Sequence, residues 1–287
     1  MSGKRFRPTP NPALLAWARR SANLSTRELA SYCKVTEEEV TLWEAGADFP
    51  SLRQLRRFAD RCKRPLAAFY LPAPPKEKAP PKDYRSIAGS QEGVFSPDTI
   101  LAIRTAQRVQ SIASRLAQEM GENWHPRLPA LDYHRPVDEQ AAAYRQELGF
   151  TLEQQIALNH AGHAYNKWRS LLERNRIMTL QATMPLADAR GFSLADELVP
   201  VVLANTRDTT AARCFTILHE VAHLALREPG VCVFGEEATG RRAGSHRVER
   251  FCNEFAATTL FPISHNSSRN RRRSMPGPTI THSTQYR

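Results

Sequence analysis

Proline-rich residues 72–82 constrain the fold of this chain more than any other segment. The segment reads Pro-Ala-Pro-Pro-Lys-Glu-Lys-Ala-Pro-Pro-Lys, and five of its eleven residues are proline. Because proline fixes φ and has no amide hydrogen, proline at this density cannot continue a helix or a central strand. We therefore expect a small unit at 1–71, a linker at 72–82 and a larger unit from residue 83 onward. A length of 287 residues is compatible with two domains.

The first unit, residues 1–71, is predicted to consist of consecutive short helices. Three capping boxes begin at Ser25, Thr36 and Ser51, each with Glu or Gln three residues later. In a capping box, the two side chains satisfy amide groups that the first helical turn leaves without partners. A tight turn at residues 33–35 separates two of these helices. Short capped helices around such a turn predict a helix-turn-helix domain.

A set of apolar, small and capping positions runs through the same unit. Its members are Leu24-Ser25, Leu29-Ala30, Val35, Trp43-Glu44-Ala45-Gly46, Pro50, Leu52, Leu55 and Ala59. On these residues, a stretch of about 60 residues resembles the Cro/C1-type (XRE) family of helix-turn-helix domains. The resemblance implies an all-helical N-terminal domain.

The charge of the chain is concentrated at its two ends. The formal net charge is +11, with +8 in residues 1–82, −2 in residues 83–265 and +5 in residues 266–287. A basic N-terminal unit predicts a polyanionic partner such as duplex DNA. A solvated basic surface without a partner would have the same composition, so charge alone leaves both interpretations open.

The residues that could contact DNA lie on the helix after the predicted recognition helix. The recognition helix itself begins with Glu37-Glu38-Glu39, whose carboxylates oppose an approach to phosphates. Arg53, Arg56 and Arg57 on the next helix are the candidate nucleic-acid contacts. Two interpretations remain: sequence-specific binding of DNA, and a fold kept for dimerisation or partner recognition.

The larger unit is predicted to mix helices with a few strands. A long amphipathic helix begins at Ser96-Pro97 and continues to Met120. Its apolar positions are Ile100, Ile103, Ala106, Val109, Ile112 and Leu116. Further helices are predicted at 138–148 and 151–174, and strand segments at 176–181, 191–194 and 198–204. The expected fold class is mostly α with a small sheet (α+β), in which residues 83–136 form a helical connector.

Residues 219–223 read His-Glu-Val-Ala-His on a nearly all-apolar helix predicted at about 211–227. Histidines at i and i+4 lie on one helix face, so the imidazoles of His219 and His223 can converge on one metal ion. Glu220 projects to the side, where it can take a proton from a water molecule. The pattern predicts Zn²⁺ with Glu220 as general base. The alternative is a polar stripe on a half-buried helix.

A catalytic zinc site needs a third protein ligand and one open position. The amphipathic segment 247–261, which Pro262 ends, offers Glu249 as the best candidate. Asn253 lies one turn further on and could orient a ligating histidine. Cys252 is the second candidate ligand, although a small buried thiol is its expected role. Weaker candidates are Glu236, Glu237 and His246 in the connection between the two helices.

Two stretches around the motif carry a family resemblance. They are Arg213-Cys-Phe-Thr-Ile-Leu-His-Glu-Val-Ala-His-Leu224 and Val248-Glu-Arg-Phe-Cys-Asn-Glu-Phe-Ala-Ala257, supported by Arg190-Gly-Phe-Ser193 and Pro200-Val-Val-Leu-Ala-Asn205. Over roughly residues 135–262, the chain resembles the ImmA/IrrE family of metallopeptidases. The resemblance implies a zincin-like (gluzincin) metallopeptidase domain, which we place at 137–263.

The same resemblance implies a ligand set and a substrate class. It implies His219, His223 and Glu249 as zinc ligands, Glu220 as general base, and limited proteolysis of a protein substrate. In this family the substrate is often a helix-turn-helix repressor. The leading interpretation is therefore a zinc endopeptidase with a helix-turn-helix targeting domain. The alternative is a DNA-binding regulator whose peptidase-like part is inactive or only a sensor.

Four further features concern the location of the protein and the ends of the chain. The chain contains no run of about 18 apolar residues, so no membrane span is predicted. The basic N-terminus is not followed by an apolar segment, which argues against a secretory signal. Five scattered cysteines are typical of reduced thiols in the cytoplasm. Residues 264–287 are predicted to be a basic, disordered tail. A truncated or frame-shifted gene end and a nucleic-acid-binding arm are alternative explanations of the tail, and the oligomeric state is left open.

Overall fold

The structure, a computed structural model, describes residues 9–77, 95–121, 124–226 and 242–262, with the backbone alone for 242–246. The described chain is mostly helical and contains one three-stranded sheet. This confirms the expected α+β class. Part of the linker (78–82), the tail at 264–287, Cys232 and the two weaker ligand candidates Glu236 and Glu237 lie outside the described residues, as does the side chain of His246.

The N-terminal unit consists of short helices around a core of its own. They are α1 (Pro12–Ser21), α2 (Thr26–Cys33), α3 (Glu37–Ala45), α4 (Leu52–Arg61) and a 3₁₀ helix at Leu66–Tyr70. Complete capping boxes begin α2, α3 and α4, as predicted. Gly46 ends α3 with φ of 75°, a left-handed conformation that glycine adopts without strain. The core includes Leu14, Leu29, Val40, Trp43, Leu55, Phe58 and Phe69.

A long helix, α5 (Pro97–Glu119), covers one face of the sheet with its first half. In its second half, the expected apolar face is not buried, since Ile112 and Leu116 are 40% and 50% exposed. The buried contact is made instead by Gln110, whose amide donates to the carbonyl oxygens of Leu194 and Val199 at 3.0 and 3.1 Å. The predicted connector therefore shares a core with the sheet.

The sheet has the order β1-β3-β2, with β1 (Met178–Ala182) parallel and β2 (Gly191–Leu194) antiparallel to β3 (Val201–Asn205). All five residues of β3 are buried, because helices cover both faces. Val201 and Leu203 pack with α5, whereas Val202 and Ala204 belong to the core on the opposite face. This alternation is the period of two that a strand imposes.

Five helices complete the second unit. They are α6 (Val137–Glu147), α7 (Leu152–Ile156), α8 (Ala161–Arg174), α9 (Thr210–Leu226) and α10 (Arg242–Leu260). The single helix predicted at 151–174 is wrong, because Asn159 takes φ of 53° and His160 caps a new helix by accepting from the amide of Gly162. α10 begins at residue 242 rather than 247. Helix α10 packs against α9 and α6, and its buried Phe255 meets the ring of Tyr144 on α6 edge-on.

Cysteines Cys33, Cys62, Cys214 and Cys252 are free and buried. Burial raises the pKa of Cys33 to about 11 and that of Cys62 to about 12, because a thiolate loses its hydration there. Burial likewise raises the pKa of Cys214 to about 11. These thiols therefore stay protonated near neutral pH. Among the described residues, no helix is both long and apolar enough to cross a membrane.

Candidate metal centre

Helix α9 presents the predicted motif on its less buried side. The hydroxyl of Thr209 accepts a hydrogen bond from the amide of Ala212 at 3.3 Å, which satisfies part of the first turn. The opposite side of the helix is anchored in the core by buried apolar residues, including Ile217, Leu218, Val221, Ala222 and Ala225. His219, Glu220 and His223 are half-buried. The helix therefore holds three polar side chains at the margin of the core.

The two histidines converge with Glu249 of α10. His219 Nε2 and His223 Nε2 lie 3.1 Å apart. Glu249 Oε1 lies 3.1 Å from His223 Nε2, and Glu249 Oε2 lies 3.5 Å from His219 Nε2. Their side chains are between 13% and 22% exposed. Packing of α10 on α9 thus brings one carboxylate and two imidazoles to one point.

The geometry of this group fits a divalent transition metal. In a tetrahedral zinc site with bonds of about 2.0–2.1 Å, ligand atoms are about 3.3 Å from one another. The two imidazole nitrogens lie 3.1 Å apart, and each has one oxygen of the Glu249 carboxylate at 3.1 or 3.5 Å, which is close to that value. Imidazole nitrogen and carboxylate oxygen are also ligand types that zinc accepts. In the described part of the chain, His219, His223 and Glu249 form the one His, Cys, Asp or Glu group with metal-ligand spacing.

Glu220 stays outside the ligand group and contacts the sheet instead. The hydroxyl of Ser193, on β2, donates to Glu220 Oε2 at 2.8 Å. Both side chains are half-buried. A carboxylate that follows a candidate ligand on the same helix, and that accepts a hydrogen bond from a neighbouring strand, is suited to act as a general base. The sequence pattern identified Ser193 only as part of a strand. The signal that it lies on the α9 side is the strand alternation, with apolar Phe192 and Leu194 on either side.

The remaining predicted site residues lie elsewhere. Asn253 is exposed on α10, and its proposed orienting role stays a prediction. Cys252 is fully buried in the core and is not among the three convergent ligands.

The arginines singled out for nucleic acid differ from one another in exposure. Arg53 and Arg56 on α4 are exposed. Arg57 is half-buried, and its Nη1 donates to the carbonyl oxygen of Cys33 at 3.3 Å. That contact satisfies the C-terminal end of α2, so Arg57 has a structural role within the N-terminal unit.

Comparison with known proteins adds one finding. Residues 172–269 match the family model of the IrrE N-terminal-like domain (Peptidase_M78). The match supports the ImmA/IrrE family and a metallopeptidase-like domain in this part of the chain. It begins in α8, includes the strands and both site helices, and continues to residue 269, beyond the end of the likeness expected at Pro262. Neither the curated proteins nor the solved structures contain a significant match to the chain.

Proposed function

We propose that this chain is a zinc-dependent endopeptidase that cleaves a protein substrate in the cytoplasm. The observation that carries the proposal is the convergence of His219, His223 and Glu249 at separations of 3.1–3.5 Å, with Glu220 next to His219 on the same helix. The family match over 172–269 supports a peptidase. The buried free cysteines favour a reducing compartment.

The proposed substrate is a helix-turn-helix transcriptional repressor. Support comes from the resemblance to the ImmA/IrrE family and from the N-terminal unit, which we propose to be a Cro/C1-type targeting domain. The described helices α1–α4 and their separate core are compatible with that assignment. A targeting domain of this kind would bring the peptidase to proteins that act on the same DNA or share the same fold.

In the proposed reaction, three residues hold the metal ion and a fourth transfers protons. His219, His223 and Glu249 would hold Zn²⁺, which supplies Lewis acidity to oxygen atoms that it contacts. Glu220 takes a proton from the attacking water on its carboxylate and passes it to the nitrogen of the departing amine. Its carboxylate is suited to both transfers because Glu220 follows His219 on α9 and accepts an orienting hydrogen bond from the Ser193 hydroxyl.

Metal content and proteomic cleavage test the proposal together. The purified full chain is expected to hold one zinc ion per molecule. Wild-type protein added to an extract of cells that carry the gene is expected to create new protein N-termini, which mass spectrometry detects. Glu220→Gln keeps the zinc but is expected to slow cleavage by about 10²–10⁴-fold, because proton transfer is lost.

Glu254→Gln is the matched control, since Glu254 is exposed on α10 and lies outside the ligand group. It is expected to cleave like the wild type. Cleavage that survives Glu220→Gln, or a wild-type chain that holds zinc and produces no new N-termini, would contradict the proposed reaction.

A DNA-binding regulator is the second candidate function, and exposed Arg53 and Arg56 favour it. If they contact phosphates, Arg53→Ala with Arg56→Ala should weaken binding of the full chain to duplex DNA on all sequences. Each change should also reduce the salt slope by about one. Arg20→Ala, an exposed arginine on α1, is the control. Absence of binding at low salt would reject this function.

A further inference from the structure

Strand β2 presents two different faces to the rest of the second unit. Phe192 and Leu194 are buried in the core shared with α5. Gly191 and Ser193 alternate with them and therefore point to the other face, where β2 packs against α9. This second face of β2 is the one that meets the motif helix.

Gly191 sets how closely β2 approaches α9. A Cβ added at Gly191 would overlap Cγ2 of Thr216 and lie 2.5 Å from the carbonyl oxygen of Leu203. The hydroxyl of Thr216 is directed to the carbonyl oxygen of Ala212 at 3.0 Å, which leaves the methyl group toward the strand. The methyl group of Thr216 therefore occupies the space that a side chain at position 191 would need.

From this contact, the strand and the helix advance by similar distances to Ser193 and Glu220. Ser193 is two residues after Gly191 on the same strand face, and Glu220 is one helical turn after Thr216. Two residues of strand rise by about 6.6 Å, and four residues of helix rise by about 6 Å. The close approach at Gly191 therefore brings the Ser193 hydroxyl beside the Glu220 carboxylate, at the observed 2.8 Å.

We propose that Ser193 is a positioning residue for the general base, an inference that rests on the proposed peptidase function. Its hydroxyl donates to Glu220 Oε2 and fixes the orientation of the carboxylate beside the ligand group. A glutamate side chain that rotates freely would spend less time in the orientation that receives the proton of water. Ser193 touches neither the ligand group nor the substrate water in this role. It acts through Glu220.

The first test asks whether the two side chains interact, and it needs no activity. Thermal unfolding of the metal-free full chain is measured for wild type, Ser193→Ala, Glu220→Ala and the double variant. A hydrogen bond to a charged acceptor predicts that the two single shifts in Tm fail to add by about 3 °C or more. Additive shifts would overturn the proposal.

The second test separates positioning from packing with Ser193→Thr and Ser193→Val. These variants have nearly the same shape, and valine has a methyl group where threonine has the hydroxyl. On a peptide that spans a cleavage site found in the extract, Ser193→Val should lower kcat about tenfold relative to Ser193→Thr. KM and zinc content should be equal in both. Equal kcat values in the two variants would overturn the positioning role.

The two proposals fail in different ways. If the wild-type chain holds zinc but cleaves nothing, the peptidase function fails, whereas the unfolding cycle still decides whether Ser193 is coupled to Glu220. If wild type cleaves and Ser193→Val cleaves as fast as Ser193→Thr, the peptidase function stands and the role of Ser193 is rejected.

Discussion

The N-terminal unit and the metal centre use polar side chains over very different distances along the chain. In the N-terminal unit, Ser25 and Glu28 satisfy each other's amide groups within one helical turn, and the other two capping boxes repeat this pattern. In the metal centre, Glu249 of α10 meets His219 of α9, and Ser193 of β2 meets Glu220. The capping boxes therefore depend on local rules, and the metal centre on the packing of separate elements.

The two kinds of contact differ in how far the effect of a substitution should extend. A capping residue acts on its own helix, so its loss should cost a modest amount of stability and nothing at a distance. A ligand or a packing residue of the metal centre acts across α9, α10 and β2, so its loss should be felt in metal binding or in the whole second unit. The predictions below test this division.

Removal of one histidine ligand should have the largest effect. His223→Ala is expected to weaken zinc binding by more than about 100-fold, because even residues behind the ligands contribute about 10- to 100-fold. Isothermal titration of the full chain with zinc measures the change. His163→Ala is the control, since His163 is exposed on α8. Equal zinc affinity in the two variants would break the comparison at the metal centre.

A side chain added at Gly191, where β2 packs closely on α9, should have the next largest effect. Gly191→Ala places a methyl group against Thr216 and the carbonyl oxygen of Leu203. That carbonyl belongs to the backbone of β3, so it cannot move away without distorting the sheet. We expect a loss of about 1–3 kcal/mol in the free energy of unfolding, measured with urea.

Gly162→Ala is the control for that substitution. Its new methyl group would meet only the side chain of His160, at 3.0 Å, which can move. Movement of the ring weakens the cap that His160 provides, whereas alanine favours the helix, so a net change of less than about 1 kcal/mol is expected. If Gly191→Ala is as well tolerated as Gly162→Ala, β2 does not pack on α9 as described.

Loss of a cap in the N-terminal unit should have the smallest effect. Thr36→Ala removes the hydroxyl that accepts from the amide of Glu39 at 3.1 Å. We expect a cost of about 1 kcal/mol in unfolding free energy and an unchanged zinc affinity. Ser31→Ala, at an exposed position on α2, is the control. A shift in zinc affinity with Thr36→Ala would show that the two units are not independent in this respect.

Local sequence patterns predicted most of the helices, because helix starts such as the capping boxes are determined by residues within one turn. The capping boxes at Ser25, Thr36 and Ser51 appear in the structure, and so does the motif helix α9. The break between α7 and α8 was missed, because the left-handed turn at Asn159 interrupts a segment whose composition remains helical. Helical spacing also failed to distinguish buried Ile103 from exposed Ile112, since only the sheet decides which turns of α5 are covered.

The site was predictable only in part for a related reason. His219 and His223 are one turn apart on a single helix, so spacing alone brings them together. Glu249 required a guess about which helix packs on α9, and Ser193 required the register of β2 against that helix. The orienting role of Asn253 stays a prediction, because its one-turn spacing from Glu249 does not determine which atoms its exposed side chain contacts.

The ligand set of the bound metal tests the central claim most directly. Zinc X-ray absorption spectroscopy on the purified full chain distinguishes nitrogen and oxygen ligands, at about 2.0–2.1 Å, from sulfur at about 2.3 Å. We predict two imidazoles and one carboxylate with no sulfur, and loss of the carboxylate contribution in Glu249→Ala. A sulfur contribution, as Cys252 would give, or a spectrum unchanged by Glu249→Ala, would contradict the site formed by His219, His223 and Glu249.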